Sequence, residues 1–124
     1  MIKVTREIDD TLDLTVYTVL GEVGLDLIFE VIDQFYQSPH TLNLAWDLSE
    51  ADLSEMTMKE IQKIQNYAKK YSHLRQNGKT AFIMATDVNF GLGRMYESVA
   101  EINDHHIKHC IFRKLDEAKK WFAE

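Results

Sequence analysis

Thr80-Ala-Phe-Ile-Met-Ala-Thr86 is apolar on both faces of an extended chain. A strand without a polar face belongs in the middle of a sheet that is covered above and below, as parallel strands in α/β domains are. Upstream of it, Ile61, Ile64, Ala68, Tyr71 and Leu74 recur at helical spacing, which predicts a helix from about Met58 to Arg75. Asn77-Gly78 ends that helix. Downstream, a third helix is expected from about Phe90 to Ile102, then a strand over Ile107–Phe112 and a short helix over Leu115–Phe122. That last helix turns Leu115, Ala118, Trp121 and Phe122 inward.

Toward the N-terminus the period changes twice. Leu42–Leu48 alternates, with Leu42, Leu44, Trp46 and Leu48 on one side and Asn43, Ala45 and Asp47 on the other. Before it, Leu25, Ile28, Phe29, Ile32, Phe35 and Tyr36 form a helical stripe, closed by Pro39. Ile2–Ile8 and Leu12–Leu20 each alternate with period two across the polar turn Asp9-Asp10-Thr11, which reads as a hairpin. The clean alternation of these first strands suggests helices mainly on one face. Thr5, Thr15, Tyr17, Asn43 and Asp47 are expected on the other, which would be wet or covered by a partner.

The element order is therefore ββαβαβαβα: an α/β fold with a five-stranded, mostly parallel sheet and four helices. Strands joined through helices should run parallel with right-handed crossovers. The 124 residues suit one domain, 1–124, with no repeat or linker. Hydrophobic residues at 45% and charged residues at 27% fit a globular chain and exclude disorder. No apolar run approaches the ~20 residues of a membrane span, and the N-terminus lacks the pattern of a signal peptide. The lone Cys110 fits a reducing cytoplasm. A net charge of −6 disfavours nucleic acid as a partner. Residues 1–60 hold 3 Lys/Arg against 13 Asp/Glu, and residues 61–124 hold 11 against 7. Such unequal halves favour self-association unless their charges intermix in the folded domain.

The order of elements resembles the anti-sigma-factor antagonist (STAS) fold. Three segments narrow this: Gly78-Lys-Thr-Ala-Phe-Ile-Met-Ala, Phe90-Gly-Leu-Gly-Arg-Met-Tyr and Ile111-Phe-Arg-Lys-Leu-Asp-Glu-Ala-Lys-Lys-Trp-Phe122. They are similar to the SpoIIAA-like (STAS/Sec14-like) family of small bacterial proteins, and the last is the best marker. The resemblance implies a non-enzymatic binding or regulatory module.

In the antagonist branch a phosphorylatable Ser stands in an Asp-Ser-Ser-Gly-like segment at the start of the helix after the third strand. Here that region reads Asp52-Leu-Ser-Glu-Met-Thr-Met-Lys-Glu60, and Thr57 is the nearest hydroxyl. Thr57-x-x-Glu60 is also a capping box, in which the hydroxyl serves a helix N–H and Glu60 reaches back. An acid three residues on would repel a phosphate there, so capping is the preferred reading over a phosphorylation site.

His105, His106, His109 and Cys110 suggest metal ligands, but the spacing argues against it. On a strand, residues four apart lie roughly 13 Å apart at ~3.3 Å each. Two such side chains cannot share one ion at ~2.0–2.1 Å. Strand-edge histidines, no metal and no cofactor are therefore expected. Gly91-Leu-Gly93-Arg94 has two glycines of a phosphate-cradling loop, but Tyr96 stands where the third would be. Close packing of a helix start on the sheet explains these glycines better. Nucleophilic catalysis has no Gly-x-Ser-x-Gly elbow to rest on.

Ligands of open α/β sheets settle beyond the carboxyl ends of parallel strands. That rule selects Trp46, Asp47 and Ser49, then Asp87, Asn89 and Phe90, then Arg113. Arg94 joins them, because a cation in a helix's first turn is easier to understand beside an acid: Asp87, Asp47 or a ligand's anionic group. Three functions remain in order. The first is a cytoplasmic regulatory module acting through protein contacts, as a homodimer. The second is a Sec14-like carrier or sensor of a small apolar or lipid-like ligand. The third is an enzyme.

Overall fold

A computed structural model describes residues 2–103 and 106–124. The hairpin forms from β1 (Lys3–Asp9) and β2 (Leu14–Glu22), and α1 (Leu25–Gln37) follows. Then come β3 (Asn43–Asp47), a two-residue β4 (Ala51–Asp52), α2 (Met58–Lys69) and a 3-10 turn over Ser72–Arg75. The chain ends with β5 (Gly78–Ile83), α3 (Asp87–Asn103), β6 (Ile107–Phe112) and α4 (Leu115–Phe122). The sheet runs β1-β2-β3-β5-β6, with β1 antiparallel to β2 and the other neighbours parallel. The five expected strands are all present. The sixth, β4, pairs Gly21 with Ala51 and Glu22 with Asp52, and so lengthens β2 at its carboxyl end.

Both faces of the sheet are covered. α1, α2 and α3 lie over one face, where Tyr17, Val19, Leu44, Trp46 and Phe82 form the larger core. α4 covers the other, packing Ala118 and Phe122 on Leu14, Val16, Ala45 and Ile83. This corrects the expectation that Thr15 and Tyr17 share a wet face with Asn43 and Asp47. In register, Thr15 stands beside Leu44 and Tyr17 beside Trp46, so the polar-looking side of β2 joins the apolar side of β3. Tyr17 is 1% exposed and lies edge-on to Phe35, at 79°. Alternation defines the two sides of one strand. Which sides combine depends on register, which a one-residue slip reverses.

Two helices differ from expectation at their ends. α2 stops at Lys69 and gives way to the 3-10 turn, where the Ser72 hydroxyl donates to the Lys69 carbonyl at 2.9 Å. The tighter turn swings Leu74 out to 46% exposure and brings Arg75 in, at 3%. α3 begins at Asp87 rather than near Phe90 because Thr86 caps it. Thr86 Oγ1 accepts from the Asn89 N–H at 3.1 Å, and its carbonyl accepts from the Phe90 N–H at 2.8 Å. Gly91 and Gly93 therefore lie inside α3 and form no loop. Gly93 is buried against β6, where a Cβ would collide with Cδ1 of Ile111. Between α2 and β5, Asn77 takes the left-handed conformation (φ 69°) that Asn tolerates, and Gly78 follows.

Candidate functional site

The carboxyl ends of β3, β5 and β6 meet at one edge of the sheet, and the loops there are tied down. Leu48 N–H donates to the Ile83 carbonyl and Met84 N–H to the Phe112 carbonyl, both at 2.9 Å. Asp47, half-buried, accepts from the Ser49 hydroxyl at 2.6 Å and from its N–H at 3.2 Å. Buried Asn89 donates from Nδ2 to the Ala51 carbonyl at 3.2 Å, which anchors the start of α3 to β4. Asp52 accepts from Ser54, whose hydroxyl foremost and then its N–H hold the carboxyl below its ordinary range.

Two of the expected site residues, Asp87 and Phe90, gather around a third, Arg113. Its Nη2 meets Asp87 Oδ1 at 2.9 Å, Nη1 donates to the Ala85 carbonyl at 2.9 Å, and the guanidinium lies 4.1 Å over the Phe90 ring. Asp87 is thus paired with Arg113, and the alternative of an Arg94–Asp87 bridge does not form. Arg94 is exposed on the outer side of α3, in a shallow depression with Met58, Met95 and Ser98. Trp46 is 5% exposed and belongs to the core. Thr57 caps α2 as its spacing implies: Oγ1 accepts from the Glu60 N–H at 3.2 Å, and Glu60 Oε1 accepts from the Thr57 N–H at 3.1 Å.

His105 lies outside the described residues. His106 is exposed, while His109 and Cys110 occupy opposite faces of β6, next to Thr80 and Ala81 respectively. Among the described residues no group of three His, Cys, Asp or Glu side chains is arranged to hold a metal ion.

A second candidate is a partly open pocket, with exposed Asn66 and Lys69 at its edge. Between α2, α3 and the sheet is a cavity of about 110 Å³. Ile61 and Ile64 of α2 and Leu92 and Ala100 of α3 form its walls, and Trp46 and Phe82 its floor. Polar side chains gather on β5, β6 and the 3-10 turn: Thr80, His109 and Arg75. Gln65, 9% exposed, bridges the two helices by donating to the Tyr96 carbonyl at 2.7 Å. Sequence reasoning did not find these residues. The available signals were Thr80 opening an apolar strand and His109 alternating with Ile107 and Ile111.

No protein-family model and no curated protein matches the chain. Among solved structures, an uncharacterized DUF3478-family protein with a SpoIIAA-like fold from Shewanella loihica PV-4 superposes with a TM-score of 0.57 at 13% identity. The match covers 98% of this chain and 93% of that one. The fold is SpoIIAA-like. An anti-sigma factor antagonist from Mycobacterium paratuberculosis matches at a TM-score of 0.51 and 14% identity, over 100% of this chain and 96% of that one. The start of α2, at Met58, shares a shallow depression with Arg94, Met95 and Ser98 of α3. No helix among the described residues is long and apolar enough to cross a membrane.

Proposed function

We propose that this chain is a non-enzymatic, cytoplasmic regulatory module that acts through protein contacts made at the starts of α2 and α3. One observation carries this reading: apolar side chains stand in water beside a pinned loop framework. Val88, in the first turn of α3, is 72% exposed, and Met58, the first residue of α2, is 43% exposed. Val88, Gly91, Met95 and Ser98 follow one another along the outer stripe of α3, with Arg94 alongside. Flexible methionines and a lone arginine around an apolar centre are the composition of protein-contact surfaces. The Asp47–Ser49 and Arg113–Asp87 contacts sit close by at the same edge. The name of the Mycobacterium neighbour, an anti-sigma factor antagonist, agrees with a module of this class.

The test is capture from the native cell extract by the full chain and by Met58→Asp/Val88→Asp. A partner retained by the parent and lost from the double variant supports the surface. Capture that ignores both charges overturns it.

A second reading, a carrier or sensor of a small apolar ligand, is favoured by the cavity between α2, α3 and the sheet. Native mass spectrometry of freshly purified protein separates the two readings. A co-purifying small molecule supports the carrier, and a bare chain that holds a protein partner supports the module.

A further inference from the structure

Arg75 is 3% exposed, and its guanidinium is surrounded by neutral oxygens. Nε donates to the Tyr36 hydroxyl at 2.9 Å, Nη1 to the carbonyls of Leu42 at 3.0 Å and Lys79 at 3.4 Å, and Nη2 to Thr80 Oγ1 at 2.8 Å. Among the described residues no carboxylate lies within ion-pair distance of it. The rings of Phe35 and Tyr36 face it at 5.4 and 5.7 Å. A guanidinium has five N–H donors, and these contacts use four, leaving one on Nη2. Buried charges are normally paired, because desolvating a lone ion is costly. Arg75 and Thr80 both line the cavity, whose lining is mostly apolar, with Gln65, Asn66, Lys69 and His109 its other polar members.

We propose that the cavity binds a small apolar monocarboxylate. Its hydrocarbon part fills the space between α2 and α3, and its carboxylate takes the remaining N–H of Arg75 beside Thr80. This inference rests on the carrier reading above and adds the chemistry of the ligand. The size follows from the volume: about 110 Å³ is somewhat below the ~150 Å³ of an engineered apolar cavity that admits benzene. A single ring or a short branched chain therefore fits once the helices give slightly. The charge follows from the donor count. One free N–H on a buried cation suits a singly charged carboxylate, whereas a phosphate dianion needs several donors and more water.

Benzoate and its neutral isostere benzamide serve as probes, titrated into the full chain by calorimetry and by ¹H–¹⁵N NMR. Benzoate is expected to bind at least tenfold more tightly than benzamide and to shift the Arg75 Nε–H resonance. Ala100→Leu, which fills the cavity without touching Arg75, should abolish binding of both. If that variant does not fold, the same question falls to Arg75→Lys, which keeps the charge and should weaken benzoate alone. Equal affinity for the two probes, with the Arg75 resonance unmoved, overturns the carboxylate and leaves the carrier reading standing. No binding of either probe at millimolar concentration overturns both.

Discussion

Tyr67 on α2 donates its phenol proton to Asp33 on α1, with both carboxylate oxygens 2.6 Å away. Tyr71, one helical turn on, donates to the same carboxylate at 2.9 Å. Around this clasp Phe29 stacks on Tyr67 with ring centroids 4.2 Å apart, and Lys70 Nζ lies 3.8 Å over the Tyr67 ring. The clasp joins α1 to α2. The phenol bonds, that of Tyr67 foremost, hold the Asp33 carboxyl below its ordinary range, and the Asp33 bond pushes Tyr67 up to about 12.

The sign of the pH dependence follows at both ends. Asp33 has a lowered pKa in the folded chain, so its contribution is present above its ordinary value of 3.8 and is lost as pH falls through the folded value. Tyr67 has a raised pKa, so its contribution is complete below its ordinary value of 10.0 and is lost as pH climbs through about 12. Asp33→Asn should lower the melting temperature at pH 7 and flatten both flanks of the stability profile. Thermal melts from pH 3 to pH 11 make the comparison, and unchanged flanks in the variant would count against the clasp.

Thr57→Ala removes the hydroxyl of the capping box and should cost about 0.5–2 kcal/mol, whereas Thr57→Ser should cost little. Denaturant titration of the two variants reads the difference. Undiminished stability in Thr57→Ala, combined with loss of a captured partner, would restore Thr57 as a regulated phosphorylation site.

Gly78→Ala tests how tightly β5 is seated. A Cβ there would lie 2.5 Å from the Leu42 carbonyl and 2.9 Å from that of Arg75. Both obstacles are backbone and cannot rotate away, so the expected loss is about 1–3 kcal/mol. A variant as stable as the parent would show that the 3-10 turn adjusts freely.

Arg94→Ala should leave stability within about 0.5 kcal/mol, since the side chain is exposed on the outer face of α3. Partner affinity should fall. If the melting temperature drops while binding is kept, Arg94 is a structural residue and the proposed surface is misplaced.

β1 is an edge strand, with Ile2 at 47% and Ile8 at 53% exposure. An open edge with apolar side chains invites a second strand, so a homodimer is expected in sedimentation at micromolar concentration. Ile8→Lys should shift it toward monomer. Parent protein that sediments only as monomer removes the dimer.

Period alone determined most of the architecture. Strand and helix periodicities of two and 3.6 are properties of the local chain, so β1, β2, α1 and β6 form close to where the sequence places them. The capping box at Thr57 was legible for the same reason, because its partners are three residues apart. So is the start of α3, where Thr86 caps the N–H of Asn89, three residues on. The strand-end rule brought Asp87, Phe90 and Arg113 to one edge, since connectivity fixes which strand ends share a side. It could not choose Arg113 over Arg94 as the partner of Asp87, because that depends on which way a helix is rotated about its axis. Register, likewise a relation between distant segments, decided that Tyr17 lies in the core beside Trp46. The burial of Arg75 is the plainest case: a cation near a helix end reads as solvated, and only the packing of α1, the 3-10 turn and β5 around it turned it inward.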